Sequence, residues 1–103
     1  MNFTVSNDLD TLAWQLRAGQ QLRMLAGNDE SVIYNDSSGE THLLSAIAVS
    51  MLQQLERGPA NFSFISTAVA SAWEFDSDEE LRQTVHGLLA ELDGLSLIEA
   101  CRL

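Results

Sequence analysis

The side chains able to do acid–base, nucleophilic or metal chemistry are few: His42, His86, Cys101 and the acidic run Asp78-Glu79-Glu80. A metal site needs its donors at short, recurring spacings. His42 and His86 stand far apart, and neither has a cysteine or carboxylate at ligand spacing. No metal and no cofactor is therefore expected. A thiol nucleophile needs a base held against it, and nothing orients His86 toward Cys101, so Cys101 reads as an inert thiol. Asp78, Glu79 and Glu80 could in principle share acid–base work, but charge complementarity to the positive end of a helix already accounts for them. No catalytic residue emerges. The expectation is a binding module, not an enzyme, whose function lies in its surfaces.

Composition narrows the partners. Five Lys and Arg oppose 15 Asp and Glu, a formal charge of -10, which repels phosphate backbones and anionic lipid surfaces. Neither nucleic acid nor membrane is an expected partner. The 103 residues suit one domain, 1–103, and 46% hydrophobic with 19% charged residues is the balance of a folded chain. A single cysteine makes no intrachain disulfide, and Met1-Asn2-Phe3 begins no signal peptide, so a cytoplasmic setting is expected.

The elements that must position any binding surface follow from pattern. Around Leu9, Leu12, Ala13 and Leu16 a short helical stripe competes with the alternation of Trp14-Gln15-Leu16-Arg17, and a strand near Trp14 is preferred. Leu22 to Leu25 reads as a strand stopped by Gly27-Asn28-Asp29. Ser31 to Asn35 has β-branched and aromatic strand content, and Asp36-Ser37-Ser38-Gly39 is a turn that returns Glu40 to Leu44 antiparallel. That last strand of a three-stranded meander is an edge candidate.

Ser45 is then a candidate N-cap, and Leu44, Ile47, Ala48, Met51, Leu52 and Leu55 share a helical face that ends at Gly58-Pro59. A second helix is expected within Asn61 to Phe75, with Ser63 as cap, although Phe62 and Phe64 also suit a short extended start. Ser77-Asp78-Glu79-Glu80 is a capping box, with Ser77 accepting from the Glu80 N–H and the Glu80 side chain reaching back. The third helix it opens carries Leu81, Val85, Leu88, Leu89 and Leu92, stops at Gly94 and leaves Leu95 to Ile98 as an extended tail. Gly87 inside it is expected to mark a close packing contact. The order predicts an α+β fold, a three-stranded antiparallel sheet followed by three helices packed on one face.

Several short stretches carry a family resemblance: VIYNDSSGETHLLSAIAVSMLQQL, then Gly58, then LLAELDGLSLIE. In this order they resemble PqqD-like proteins, where a strand pair leads into the first helix through a Leu-Asn type start, here Leu44-Ser45. The chain is most similar to the PqqD-family peptide chaperones of HPr-related kinase A systems, in the Trp14-Gln15-Leu16 opening, the Tyr34-Asn35 strand end, the Ser38-Gly39-Glu40-Thr41-His42 turn and the Gly94-Leu95 finish. The likeness covers about Trp14 to Ile98. It departs from PqqD at Ser45, where asparagine is usual, and at Arg57-Gly58-Pro59, which replaces an Asp-Gly.

The resemblance implies a winged-helix-like domain, also called a RiPP recognition element, that takes a precursor or leader peptide as an added strand. In that family the peptide lies between the edge of the third strand and the third helix. An exposed edge strand is itself a template for β-augmentation, in which main-chain bonds give affinity and alternate side chains give selectivity. On that arrangement Thr41, His42 and Leu43 line the edge, Leu81, Val85 and Leu88 form the helix wall, and Asp78, Glu79 and Glu80 attract basic residues of the peptide. The implied partners are the peptide and a peptide-modifying enzyme or HPr-kinase-related protein, and an uncovered edge also allows a homodimer. The competing expectation is a winged-helix DNA-binding transcriptional regulator. Against it, Arg82 is the only Lys or Arg between Ser77 and Asp93 to meet phosphates.

Overall fold

A computed structural model describes residues 12–102. The strand expected near Trp14 is β1, Leu12–Leu16. The competing helical stripe drew on Leu9, which with the Met1-Asn2-Phe3 start lies outside the described residues. β2 (Leu22–Ala26), β3 (Glu30–Asn35) and β4 (Thr41–Ser45) form an antiparallel meander in the order β2-β3-β4. Asn35 organises the turn between β3 and β4: its buried Oδ1 accepts from the N–H of Ser37 at 3.0 Å and of Ser38 at 3.4 Å. Gly39 completes the turn at φ +78°, a region that favours glycine.

β4 passes into α1 (Ala46–Glu56) without a linker. Ser45 is the last strand residue and also the helix N-cap, accepting from the Ala48 N–H at 3.3 Å. Ala48, Met51, Leu52 and Leu55 face inward as their spacing required, with Val49 added. Each large apolar side chain among them contributes about 1.5–3 kcal/mol through burial.

The extended piece before the second helix exists as β5 (Ala60–Asn61), and α2 runs Phe62–Ala72. Its cap is Asn61 instead of Ser63: the Asn61 Oδ1 accepts from the Phe64 N–H at 2.8 Å, right where the chain leaves β5. The helix stops before Phe75 because Trp73 adopts extended backbone, φ −130° and ψ 149°.

α3 covers Asp78–Gly94. Ser77 accepts from the Glu80 N–H at 3.1 Å, while Glu80 reaches back to the Asp76 N–H at 3.0 Å. The reciprocal bond thus falls one residue before the cap. The helix stop also differs from expectation. Gly94 is still helical, and the left-handed residue is Ser96 at φ +62°. Ser96 N–H donates to the Asp93 carbonyl and Leu97 N–H to the Leu92 carbonyl, both at 3.0 Å, closing a Schellman motif. Leu92 and Leu97, the apolar pair that accompanies this motif, are both fully buried. Gly87 marks no close contact: it is exposed, and a Cβ there would meet nothing within 4 Å.

The tail forms a strand farther along than Leu95 to Ile98. β6 (Ile98–Arg102) pairs antiparallel with all of β1, from Leu16↔Ile98 to Leu12↔Arg102, and β5 flanks β1 on the other side. The fold is therefore α+β, with a three-stranded antiparallel sheet followed by three helices and a second three-stranded sheet, β5-β1-β6. That second sheet makes the winged-helix-like description a loose one. One apolar cluster unites both sheets and all helices, including Ile33, Leu44, Met51, Ile65, Val85, Leu92 and Ile98. Gln20 bridges the sheets, accepting from Asn35 Nδ2 at 3.2 Å and donating to the Leu97 carbonyl at 2.7 Å. Among the described residues no helix is long and apolar enough to cross a membrane.

Candidate functional site

β4 is an edge of its sheet. Asn35 N–H donates to the Glu40 carbonyl at 2.9 Å and Ala46 N–H to the Asp29 carbonyl at 3.2 Å. Those two bonds fix the alternation of the ladder between them. His42 and Leu44 exchange their backbone groups with β3, and Thr41 and Leu43 direct theirs away from the sheet. The other edge, β2, works the same way. Asp36 N–H donates to the Gln21 carbonyl at 2.8 Å, so Arg23 and Leu25 bond to β3 and Leu22 and Met24 face outward.

The side chains alternate with the pleat. Leu44 and Ile33 point into the core, and α1 packs on that face. On the opposite face Leu25, Val32 and Leu43 lie in one row across the sheet. Leu25 is 73% exposed and Leu43 61%. Beside them the Arg23 guanidinium lies 5.2 Å from the Tyr34 ring centroid and bonds Asp36 at 2.9 Å. Arg23, Met24, Leu25, Val32, Tyr34 and Thr41 border a shallow hollow of about 410 Å³.

The predicted site residues fare differently. Thr41 and Leu43 are exposed along the edge. His42 is half-buried on the core side, and its Nε2 is buried without a hydrogen-bond partner among the described residues. Of the helix wall, Val85 is 0% exposed and belongs to the core, so it offers no surface to a peptide. Leu81 and Leu88 are half-buried against the same core. α3 packs chiefly on α2 and β6, not on β4. The apolar stripe gave Val85 the same standing as its neighbours, but the inward centre of a stripe is where burial is greatest.

The acidic run is partly committed. Glu80 serves the cap, and Glu79 bonds Arg82 at 3.2 Å and Gln83 at 3.2 Å, leaving Asp78 to line an open hollow of about 430 Å³ beside Trp73, Phe75 and Leu81. Sequence reasoning missed that hollow because it forms only where the chain turns between α2 and α3. It also missed the exposure of Met24, Leu25 and Phe64. The alternation in β2 held the signal for Leu25, which shares a face with Arg23.

His86 stacks on Phe62, ring centroids 4.2 Å apart, joining α3 to the start of α2. Cys101 is a half-buried free thiol on β6. Among the described residues no three His, Cys, Asp or Glu side chains converge to hold a metal ion. The chain matches no protein-family model, no curated protein and no solved structure.

Proposed function

We propose that this protein is a non-catalytic, cytoplasmic peptide-binding adaptor of the PqqD-like kind. It captures an extended precursor peptide as an added strand on β4 and presents it to a modifying enzyme, an HPr-kinase-related protein being the partner that the family resemblance suggests. The observation that carries this reading is the β4 edge itself, where Thr41 and Leu43 turn N–H and C=O groups outward, without a partner among the described residues, beside an exposed Leu43 side chain. An incoming strand would complete those bonds, and Leu43 would favour an apolar residue opposite it. Of Leu81, Val85 and Leu88, only Leu81 and Leu88 keep part of their surface exposed.

The test is a backbone-amide NMR titration with an extended peptide selected from a displayed random library. Shifts should concentrate at Thr41 and Leu43 and spread across β3. Leu43→Pro removes one outward donor at an edge position that tolerates proline, and affinity should fall about tenfold, the worth of roughly 1.4 kcal/mol. Shifts confined to Met24 and the β2 edge would move the site. Tight binding to duplex DNA at physiological salt would replace the reading with the regulator.

A further inference from the structure

β4 is unguarded. Sheet edges are ordinarily protected by charge, proline or a bulge, yet Thr41-His42-Leu43-Leu44-Ser45 holds no Asp, Glu, Lys or Arg in a chain with 20 of them, 15 acidic and 5 basic. The other strands of comparable length at an edge carry charge: Arg23 on β2, Glu99 and Arg102 on β6. In a molecule of charge -10 this strand brings no charge of its own against a second acidic copy.

A second asymmetry lies just beside it. α3 has three acidic residues in its first turn, whereas α1, which starts directly from β4, has none, and neither has α2. Glu40, one residue before β4, is exposed, and its carboxylate has no partner among the described residues. Both features are satisfied by the same arrangement.

We propose that β4 pairs antiparallel with β4 of a second copy about a two-fold axis at Leu43, and that this pairing closes the edge until a peptide displaces it. An isologous contact of this kind sets each residue against its mirror position. Leu43 meets Leu43 of the second copy, and their outward N–H and C=O groups exchange. Thr41 meets Ser45. Glu40 comes level with Ala46 of the second copy, at the positive end of an α1 that has no first-turn acid of its own. The row of Leu25, half-buried Val32 and Leu43 then continues without a break into its counterpart. A contact this short belongs with the small, exchangeable interfaces, as a closure that must yield to a peptide requires. The displacement rests on the peptide-capture reading; the pairing does not.

The pairing is tested by cross-linking in a Cys101→Ser background, where an introduced cysteine is the only thiol. Residues facing each other in a hydrogen-bonded antiparallel pair have Cα atoms about 5.5 Å apart, within the disulfide range. Leu43→Cys should form a disulfide-linked dimer on mild oxidation, and the more exposed Leu25→Cys should stay monomeric. Equal cross-linking, or preference for Leu25→Cys, would overturn the axis. Leu43→Lys sets two like charges together and should shift sedimentation from dimer to monomer with the circular dichroism unchanged.

The displacement is tested with a synthetic peptide of residues 39–46, which should convert the wild-type dimer to a peptide-bound monomer. A dimer that persists at every peptide concentration would overturn the shared edge. A protein monomeric at every concentration would overturn the pairing and leave peptide capture standing on its own titration.

Discussion

Ser96 holds the left-handed position of the α3 stop at φ +62°, a place that glycine fills in most helices that end this way. A side chain there costs about 1–2 kcal/mol, against roughly 0.5–1 kcal/mol of extra unfolded-chain entropy for glycine. Ser96→Gly should therefore stabilise the protein by about 0.5–1 kcal/mol and raise its Tm by a few degrees, read by thermal unfolding. A lowered Tm would mean that the Ser96 side chain holds the turn in place. In the sequence the apolar stripe ends at a glycine two residues earlier, Gly94. The backbone bonds of Ser96 and Leu97 show that the helix runs through it. A glycine near a helix end marks the region of the stop, and only the backbone bonds settle which residue turns left-handed.

At the scale of elements, the meander and the start of α1 were legible because their signals are local: strand composition, a turn ending in glycine, and Ser45 in cap position. The β4 edge followed from order alone. The second sheet was not legible, since β1 finds β6 across nearly the whole chain, Gln15 donating to Glu99 at 2.8 Å. No periodicity reports such a pairing. Nor does a helical stripe say which of its members face a groove, and Val85 at the centre of its stripe is buried in the core. The joint between the two sheets is similarly silent in sequence. It runs from the Asn35 amide through Gln20 to the Leu97 carbonyl. Asn35→Ala should cost about 1–3 kcal/mol, because it removes the acceptor of two turn N–H groups and the donor to Gln20 together. Urea unfolding measures the loss. A cost well below that range would show the turn to be held by Gly39 and the strand ladder without the amide.

For the whole molecule, charge sets the balance that salt can shift. The chain carries -10, and among the described residues only two ion pairs form, Arg23–Asp36 and Arg82–Glu79, both with exposed arginines. Surface pairs of this kind contribute at most about 1 kcal/mol. Salt therefore has little attraction to screen and a large self-repulsion to relieve. The repulsion is also spread: Glu56 ends α1, Glu74 to Glu80 surround the start of α3, and Glu91 and Asp93 sit near its negative end, where a base would be favoured. At about 1 M salt the Debye length falls to roughly 3 Å, which screens repulsion between exposed charges. Folding stability should then rise with sodium chloride, by about 1 kcal/mol or a Tm gain of several degrees for a domain of this size. The measurement belongs on Leu43→Lys, so that tighter pairing of copies does not add to the gain. A Tm that falls with salt would show that the two arginine pairs outweigh the repulsion among the acidic residues.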